Sequence, residues 1–482
     1  MGQGRQEGRN IPKETNVRTS LHNSLHPTVD WWDVAGVTID IFPDVALLTI
    51  FAFYVDEVHI EAWHTLVHVC RKWRTVVFES PRRLDLQLHC NAKTPVREML
   101  DIWPPLPIVI WESGNETLGN DNIIAALEHN DRICKIDLLN IPRSQSENVL
   151  AAINKPFPAL TRLDLGFKDE IAPVDPVSFL DGSAPSLQTL ILYRVPFPGL
   201  PKLLLSATHL VHLELLGIPH SGYISPEAMA TCLSALTRLE TLILGFGFLD
   251  QKSRRPPPLT RILLPILTEL WFKGVGGYFD DLVARIDAPL LSIMRITFFH
   301  QLILDTPQLS QFISRTPKFK THNKARMAFS KGVSVTLPQT LDGSLHLGMS
   351  CRYHDWQLSS LAQVCSSFPH ALISMVEHLY ISGSSRLPWP DDIENSQWLE
   401  LLHPFAAVKD LYISSEFVPR ILPALQELIG ERATEEVLPA LQTLFLDEPL
   451  ASGPVQDIIV QFVTARQLAG HPIAVSRWEF ED

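Results

Sequence analysis

A six-residue pattern, LxxLxL, recurs along most of this chain and restricts its fold more than any other feature. Clear copies are LTRLDL (160–165), LQTLIL (187–192), LVHLEL (210–215), LETLIL (239–244), LTELWF (267–272), VEHLYI (376–381), VKDLYI (408–413) and LQTLFL (441–446). ICKIDL (133–138) and IMRITF (293–298) are weaker copies, and RRLDL (82–86) and PIVI (107–110) extend the series toward the N-terminus. The last positions fall at 86, 110, 138, 165, 192, 215, 244, 272 and 298, in steps of 24, 28, 27, 27, 23, 29, 28 and 26 residues. A unit of that length holds one strand and one return segment. Such a unit cannot bury its own apolar face, so successive units stack and share one core.

This is the period of leucine-rich repeats, and it predicts an α/β solenoid, an arc with a parallel sheet on its concave side. The repeats are irregular, because the Asn that regular units place after the strand is mostly missing. Segments such as SPEAMATCLSAL (225–236) and FVPRILPALQELIG (417–430) supply the helices, and 37 Pro favour short elements over long ones. After 298 the register blurs. VSVTL (333–337) and SLHL (344–347) read as strands, and the later steps lengthen to 32 and 33 residues. The less regular stretch, about 300–370, either inserts into the arc or caps it.

The N-terminal part has another texture. Residues 1–38 are polar and aperiodic and read as a disordered tail, with Trp31 and Trp32 able to dock on the helical segment after it. From 39 to 80 the chain reads as a small all-α domain. Pro43 suits a first helical turn and Asp44 its positive dipole end. Leu47, Phe51, Tyr54 and Val58 then share a helical face, as do Ile60, Trp63, Val67 and Cys70, continued by Trp73, Val76 and Val77. The repeats occupy 81–482.

Composition removes several function classes. The formal net charge of -13 argues against a protein that grips phosphate backbones, so no nucleic-acid partner is expected. No apolar leader and no stretch of 18 apolar residues occurs, so a soluble chain of the cytoplasm, the nucleus or both is expected, without a membrane partner. Six scattered cysteines suit reduced thiols rather than a disulfide framework, and the sequon at Asn115 reads as accidental.

Catalytic patterns are absent: the chain has no GxxxxGK[ST] loop, GxSxG elbow or HExxH helix. GFGF (245–248) and GVGG (274–277) follow strands, where repeats turn in any case. His64 and His68 are a helical i, i+4 pair lacking a third ligand, so no metal is expected. The basic run Arg315, Lys318, Lys320, Lys324, Arg326 and Lys331 reads as a solvated loop, with nucleic-acid contact or nuclear import as the rarer alternatives.

In LxxLxL the leucines point inward, and the third, fifth and seventh positions face the concave side. The fifth positions are Asp137, Asp164, Ile191, Glu214, Ile243, Trp271, Thr297, Tyr380, Tyr412 and Phe445, acidic first and then aromatic. Trp271, Phe299, Tyr380, Tyr412 and Phe445 form a candidate substrate groove, since large apolar groups on a wet face mark binding sites. The alternative is that the 300–370 stretch, or the C-terminal AVSRWEF, lies across them.

IFPDVALLTIF (41–51) and LVHVCRKWRTVVFES (66–80) resemble the first and third helices of an F-box, with a Cys-Arg-x-Trp-Arg core in the latter. Together with SPRRLDLQL and TPVREMLDIWPPLPIVI, the whole is similar to the F-box and leucine-rich-repeat proteins numerous in mushroom-forming fungi. Phe42, Val45 and Ala46 depart from the family pattern, where Leu, an acidic residue and a larger aliphatic residue are usual. The resemblance implies a non-catalytic, cofactor-free substrate receptor of a ubiquitin ligase. It would bind a Skp-family adaptor and, through it, a cullin, while the repeats hold an unknown protein substrate. Phe42, Pro43, Leu47, Leu48, Ile50, Phe51 and Trp73 would form or support the adaptor contact, with Trp73 either touching the partner or filling the helical core. Arg71, Lys72 and Arg74 would keep the other side wet or meet an acidic adaptor.

Two rival expectations stand beside this one. A repeat scaffold with a vestigial F-box would have no ligase role. An enzyme built on the arc would need convergent polar groups, and the fifth positions supply no Ser, His and Asp set.

Overall fold

A computed structural model describes residues 41–58, 62–79, 86–90, 96–102, 107–111, 119–168, 179–195, 199–247, 260–299, 304–320, 322–330, 332–338, 343–350, 356–383, 394–427, 437–447 and 454–478. The expected tail at 1–38, the sequon, Lys331 and Cys351 lie outside these residues, as do the side chains of Val58, Trp63 and His64.

The described chain opens with three helices, α1 (Asp44–Val58), α2 (Ala62–Val69) and α3 (Arg71–Glu79). Pro43 sits one residue before α1, and its carbonyl accepts from the Ala46 and Leu47 amides at 2.9 and 3.1 Å, closing the first turn. The predicted inner face holds for Leu47 and Phe51, which are buried with Leu48 against Leu66, Val67, Val76 and Val77.

Sixteen strands then join in one sheet. Its first seven are β1 (Leu86–His89), β2 (Ile108–Trp111), β3 (Ile133–Ile141), β4 (Arg162–Phe167), β5 (Thr189–Tyr193), β6 (His212–Ile218) and β7 (Thr241–Phe246), each parallel to the next. A short pair, β8 (Ile262–Leu263) and β10 (Ile286–Asp287), lies apart from them. The main sheet continues with β9 (Glu269–Gly274) and β11 (Ile293–Phe299).

The return segments form α4 (Val96–Ile102), α5 (Asn120–Leu127), α6 (Arg143–Ile153), α7 (Leu200–Ser206), α8 (Pro226–Ala235) and α9 (Gly276–Val283). In α8 three local features act together: the Ser225 hydroxyl accepts from the Ala228 amide at 3.2 Å, Pro226 opens the helix and Glu227 sits in its first turn. Burial alternates along the strands, and the buried side chains join the helices in one continuous apolar core.

The third copy after 240 requires a correction. Trp271 is paired with Arg295, and Ile296 with Phe272. The repeat is therefore LSIMRI (291–296), with Leu291, Met294 and Ile296 buried, and Arg295 rather than Thr297 holds the fifth position. Similarly, Ile110 pairs with Ile136; of the strand predicted at 82–86, only Leu86, the first residue of β1, lies among the described residues.

The 300–370 stretch inserts into the sheet. From α10 (Pro307–Arg315) the chain enters β12 (Lys324–Phe329), reverses through β13 (Gly332–Pro338) and returns in β14 (Ser344–Ser350). The spatial order is β11, β14, β13, β12, then β15 (His378–Gly383), so β12 to β14 are an antiparallel meander seated between two runs of repeats. Among the sheet's strands, β13 alone runs against the rest. The meander's inner side is apolar, with Ala325, Met327, Val333, Val335, Leu337, Leu345 and Leu347 buried, and α11 (Gln357–Ser366) packs over β13 and β14.

The basic run is thus structured for much of its length, not a solvated loop. Arg315 ends α10 and donates from Nε to Asp287 Oδ1 at 2.6 Å, and Lys324 and Arg326 lie on β12. After α12 (His370–Ile373) and β15, regular repeats resume with α13 (Asn395–Leu402), β16 (Asp410–Ile413), α14 (Val418–Glu427), β17 (Thr443–Leu446), α15 (Pro454–Leu468) and β18 (Ala474–Arg477).

Candidate functional site

The first candidate surface is α1. Phe42, Val45, Ile50 and Phe53 are 44, 60, 50 and 68% exposed, and their spacing places Val45, Ile50 and Phe53 on one side of the helix with Phe42 at its entry. Isolated exposed apolar residues are ordinary, but an apolar row on the helix side opposite a buried row is a docking surface in form. Of the seven residues proposed for the adaptor, Phe42, Pro43 and Ile50 are exposed. Leu47, Leu48 and Phe51 are buried and hold the helices together. Trp73 is half-buried, its ring 4.7 Å from that of Phe51, which favours the core reading for it. Sequence reasoning missed Phe53 and treated Val45 only as a departure, because periodicity marks the inward face and gives no weight to apolar residues pointing out.

The basic residues beside Trp73 serve the helices. Lys72 Nζ donates to the Phe42 carbonyl at 2.9 Å and lies 3.9 Å from Asp44 Oδ1, tying the start of α1 to α3. Arg74 Nε donates to the Val67 carbonyl at 3.0 Å, where the end of α2 leaves carbonyls without helical partners. Arg71 points to solvent.

The second candidate surface is the sheet face away from the helices. Its central row follows the register from Asp137 through Asp164, Ile191, Glu214, Ile243, Trp271, Arg295, His346, Thr336, Arg326, Tyr380 and Tyr412 to Phe445. The acidic start is electrostatically confined. Burial, and secondarily the Asp164 charge, raises the Asp137 carboxyl above its ordinary value; burial likewise raises Asp164, opposed by a 2.6 Å hydrogen bond from Arg162.

The five groove residues do not form one site. Trp271 and Phe299 lie on β9 and β11, separated by the meander from Tyr380, Tyr412 and Phe445 on β15, β16 and β17. The latter three are a stacked ladder, with ring centres 4.1 Å apart for Tyr380 and Tyr412 and 4.3 Å for Tyr412 and Phe445. Among the described residues, the 300–370 stretch supplies strands beside the ladder, and Trp478, after β18, sets its edge against Tyr380 and Tyr412 at 5.7 and 5.5 Å. Burial, and then the Tyr380 hydroxyl, pushes the Tyr412 phenol up, so it stays protonated at neutral pH. Phe299 packs half-buried against the core.

Trp271 is held differently. Its Nε1 donates to Glu269 Oε1 at 2.6 Å, and the Arg295 guanidinium carbon lies 4.5 Å from its ring centre. Arg326 takes a similar place at 5.8 Å from Tyr380. Both arginines were missed as site residues, Arg295 because the repeat frame was displaced by two positions and Arg326 because β12 lacks leucines.

The glycine segments have packing roles. A Cβ on Gly274 would lie 2.8 Å from Phe272 Cζ and 3.0 Å from Phe246 Cδ2, so the residue is small to let two rings meet. Gly217, with φ of 61°, occupies the same repeat position as Asn140 and Arg194, with φ of 60° and 58°; this left-handed residue shifts the register within β3 and β6 and follows β5 directly. His68 is exposed, and no group of three metal-ligating side chains occurs among the described residues. Among the described residues no helix is long and apolar enough to cross a membrane.

No protein-family profile matches the chain, and no curated relative matches it. Among solved structures, the chain is similar to the leucine-rich-repeat-containing protein LegL7 from Legionella pneumophila, at 12% identity and a TM-score of 0.27, with 80% of this chain and 98% of that one covered.

Proposed function

We propose that this chain is the substrate receptor of a cullin-RING ubiquitin ligase, binding a Skp-family adaptor through α1 to α3 and a protein substrate on the helix-free face of its repeat sheet. The observation that carries the adaptor half is the exposed row Phe42, Val45, Ile50 and Phe53 on a helix whose opposite face is buried. Burying such a row stabilises a complex by roughly 1.5–3 kcal/mol per fully covered side chain, before the costs of association. The substrate half rests on the sheet, which presents side chains at repeat intervals over a long surface. The receptor carries no chemistry of its own in this reading, and ubiquitin transfer belongs to the assembled ligase.

The competing reading, a scaffold without a ligase role, draws on Val45, which stands where the F-box pattern has an acidic residue. Co-purification decides between them. The intact chain should retain both adaptor and cullin from cell extract; retention of neither, by chain whose circular dichroism shows it folded, would leave the scaffold.

A further inference from the structure

The reversed strand β13 and its neighbours shape a shallow trough on the helix-free face. Its cross-section in register is Trp271, Arg295, His346, Thr336, Arg326 and Tyr380. Each arginine is backed on its outer side by a ring, Arg295 by Trp271 at 4.5 Å and Arg326 by Tyr380 at 5.8 Å. Three strand intervals separate the arginines, which is about 14 Å.

The floor of the trough lies one row along the strands from the arginines. His346 and Thr336 stand directly between the arginines, and the adjoining row is the low one: Ser334 pairs there with Gly348, and a Cβ at Gly348 would come within 3.2 Å of Ser334 Cβ. Thr336 and His346 satisfy each other at 2.9 Å, and burial, helped by the Arg295 charge, lowers the His346 pKa, so its ring is neutral at neutral pH.

Both arginines are exposed, and among the described residues neither guanidinium has a hydrogen bond or ion pair to a carboxylate. Of the nearby carboxylates, Glu269 on β9 accepts from Trp271, and Asp410 on β16 lies by Oδ2 2.8 Å from His378 Nδ1 of β15. In a chain with net charge -13, two uncompensated guanidiniums held against aromatic rings are a local exception. A ring fixes the plane of a guanidinium and leaves its donor edge free, the geometry that meets two carboxylate oxygens together.

We propose that the trough binds an extended protein segment bearing Glu or Asp side chains four residues apart, each paired with one arginine. The spacing follows from the strand rise of about 3.3–3.4 Å, because four residues span about 14 Å. A single guanidinium at each post suits a carboxylate, whereas phosphate recognition ordinarily draws on a cluster of arginines. The acidic start of the same face, Asp137, Asp164 and Glu214, repels such a segment and confines it to the trough.

This inference names the substrate class for the sheet surface and rests on the receptor reading for its biological meaning, but its test does not depend on the adaptor. Fluorescence-labelled peptides with Glu at positions i and i+4 are titrated against the intact chain, beside the Gln counterpart, an i and i+2 variant, a doubly phosphorylated variant and a single-stranded oligonucleotide. The i, i+4 peptide should bind at least about tenfold more tightly than the Gln and i, i+2 peptides and weaken as salt rises. Arg295→Gln or Arg326→Gln should each remove about tenfold while adaptor capture is unchanged. Equal binding of the Gln peptide, insensitivity to both substitutions, or binding confined to the phosphorylated peptide or the oligonucleotide would overturn the proposal. Loss of adaptor capture with peptide binding intact would instead count against the ligase reading alone.

Discussion

The indole of Trp478 meets the ring of Tyr412 nearly at right angles, with centres 5.5 Å apart, and closes the last stacked ladder of the sheet. The residue just past β18 turns back over two earlier repeats on the helix-free face. The Trp478 amide donates to the Leu446 carbonyl at 2.8 Å, which fixes the approach of the ring.

Trp478 is only 8% exposed. Trp478→Ala should therefore cost about 2–4 kcal/mol, and the loss should begin at the C-terminal repeats because each repeat is held mainly by its neighbours. Hydrogen exchange would show faster exchange in Thr443–Leu446 and Ala474–Arg477 than in the central strands. Uniform protection in the variant would mean that Trp478 does not hold the C-terminal repeats.

The reframed repeat at 291–296 makes opposite predictions for two nearby residues. Leu291 is fully buried and Ile293 is half-buried on the helix-free face. Leu291→Ala should destabilise by about 2–4 kcal/mol and Ile293→Ala by about 1 kcal/mol or less. Denaturant midpoints with matched slopes check the order; a reversed order would restore the IMRITF frame.

His322 stands where the repeat calls for leucine, in H-x-x-A-x-M, and it is 3% exposed with Nε2 lacking a partner. Burial lowers its pKa from the ordinary 6.5. The unfolded chain then takes up a proton at a pH where the folded chain does not, so the histidine's contribution is full above 6.5 and is lost as pH falls toward the folded value. His322→Leu should raise stability by roughly 1–2 kcal/mol at neutral pH and flatten the decline below pH about 6.5. Parallel declines in parent and variant would place the acid sensitivity elsewhere.

Legibility in the sequence followed chemistry closely. Wherever Leu or a close substitute filled the three inward positions, as in 160–165 or 441–446, strand, register and core face were all readable. The meander was readable only as isolated strands, because β12 offers His322, Ala325 and Met327 in place of leucines and no local pattern reports that β13 runs backwards. Strand order is a long-range property. The aromatic ladder followed from the period-2 rule, but its division from Trp271 did not, since that depends on the inserted strands. At α1, helical spacing separated inside from outside, yet the residues most exposed for docking, Val45 and Phe53, carried no motif signal.

The proposed function requires that the outer face of α1 bind a Skp-family adaptor. The most direct measurement is calorimetric titration of purified adaptor into the intact chain and into an Ile50→Asp, Phe53→Asp variant. Both residues are exposed, so the variant should unfold within about 0.5 kcal/mol of the parent. One-to-one binding by the parent is expected, with a loss of at least about a hundredfold in the variant. No heat from the folded parent, or equal affinity in both, would contradict it.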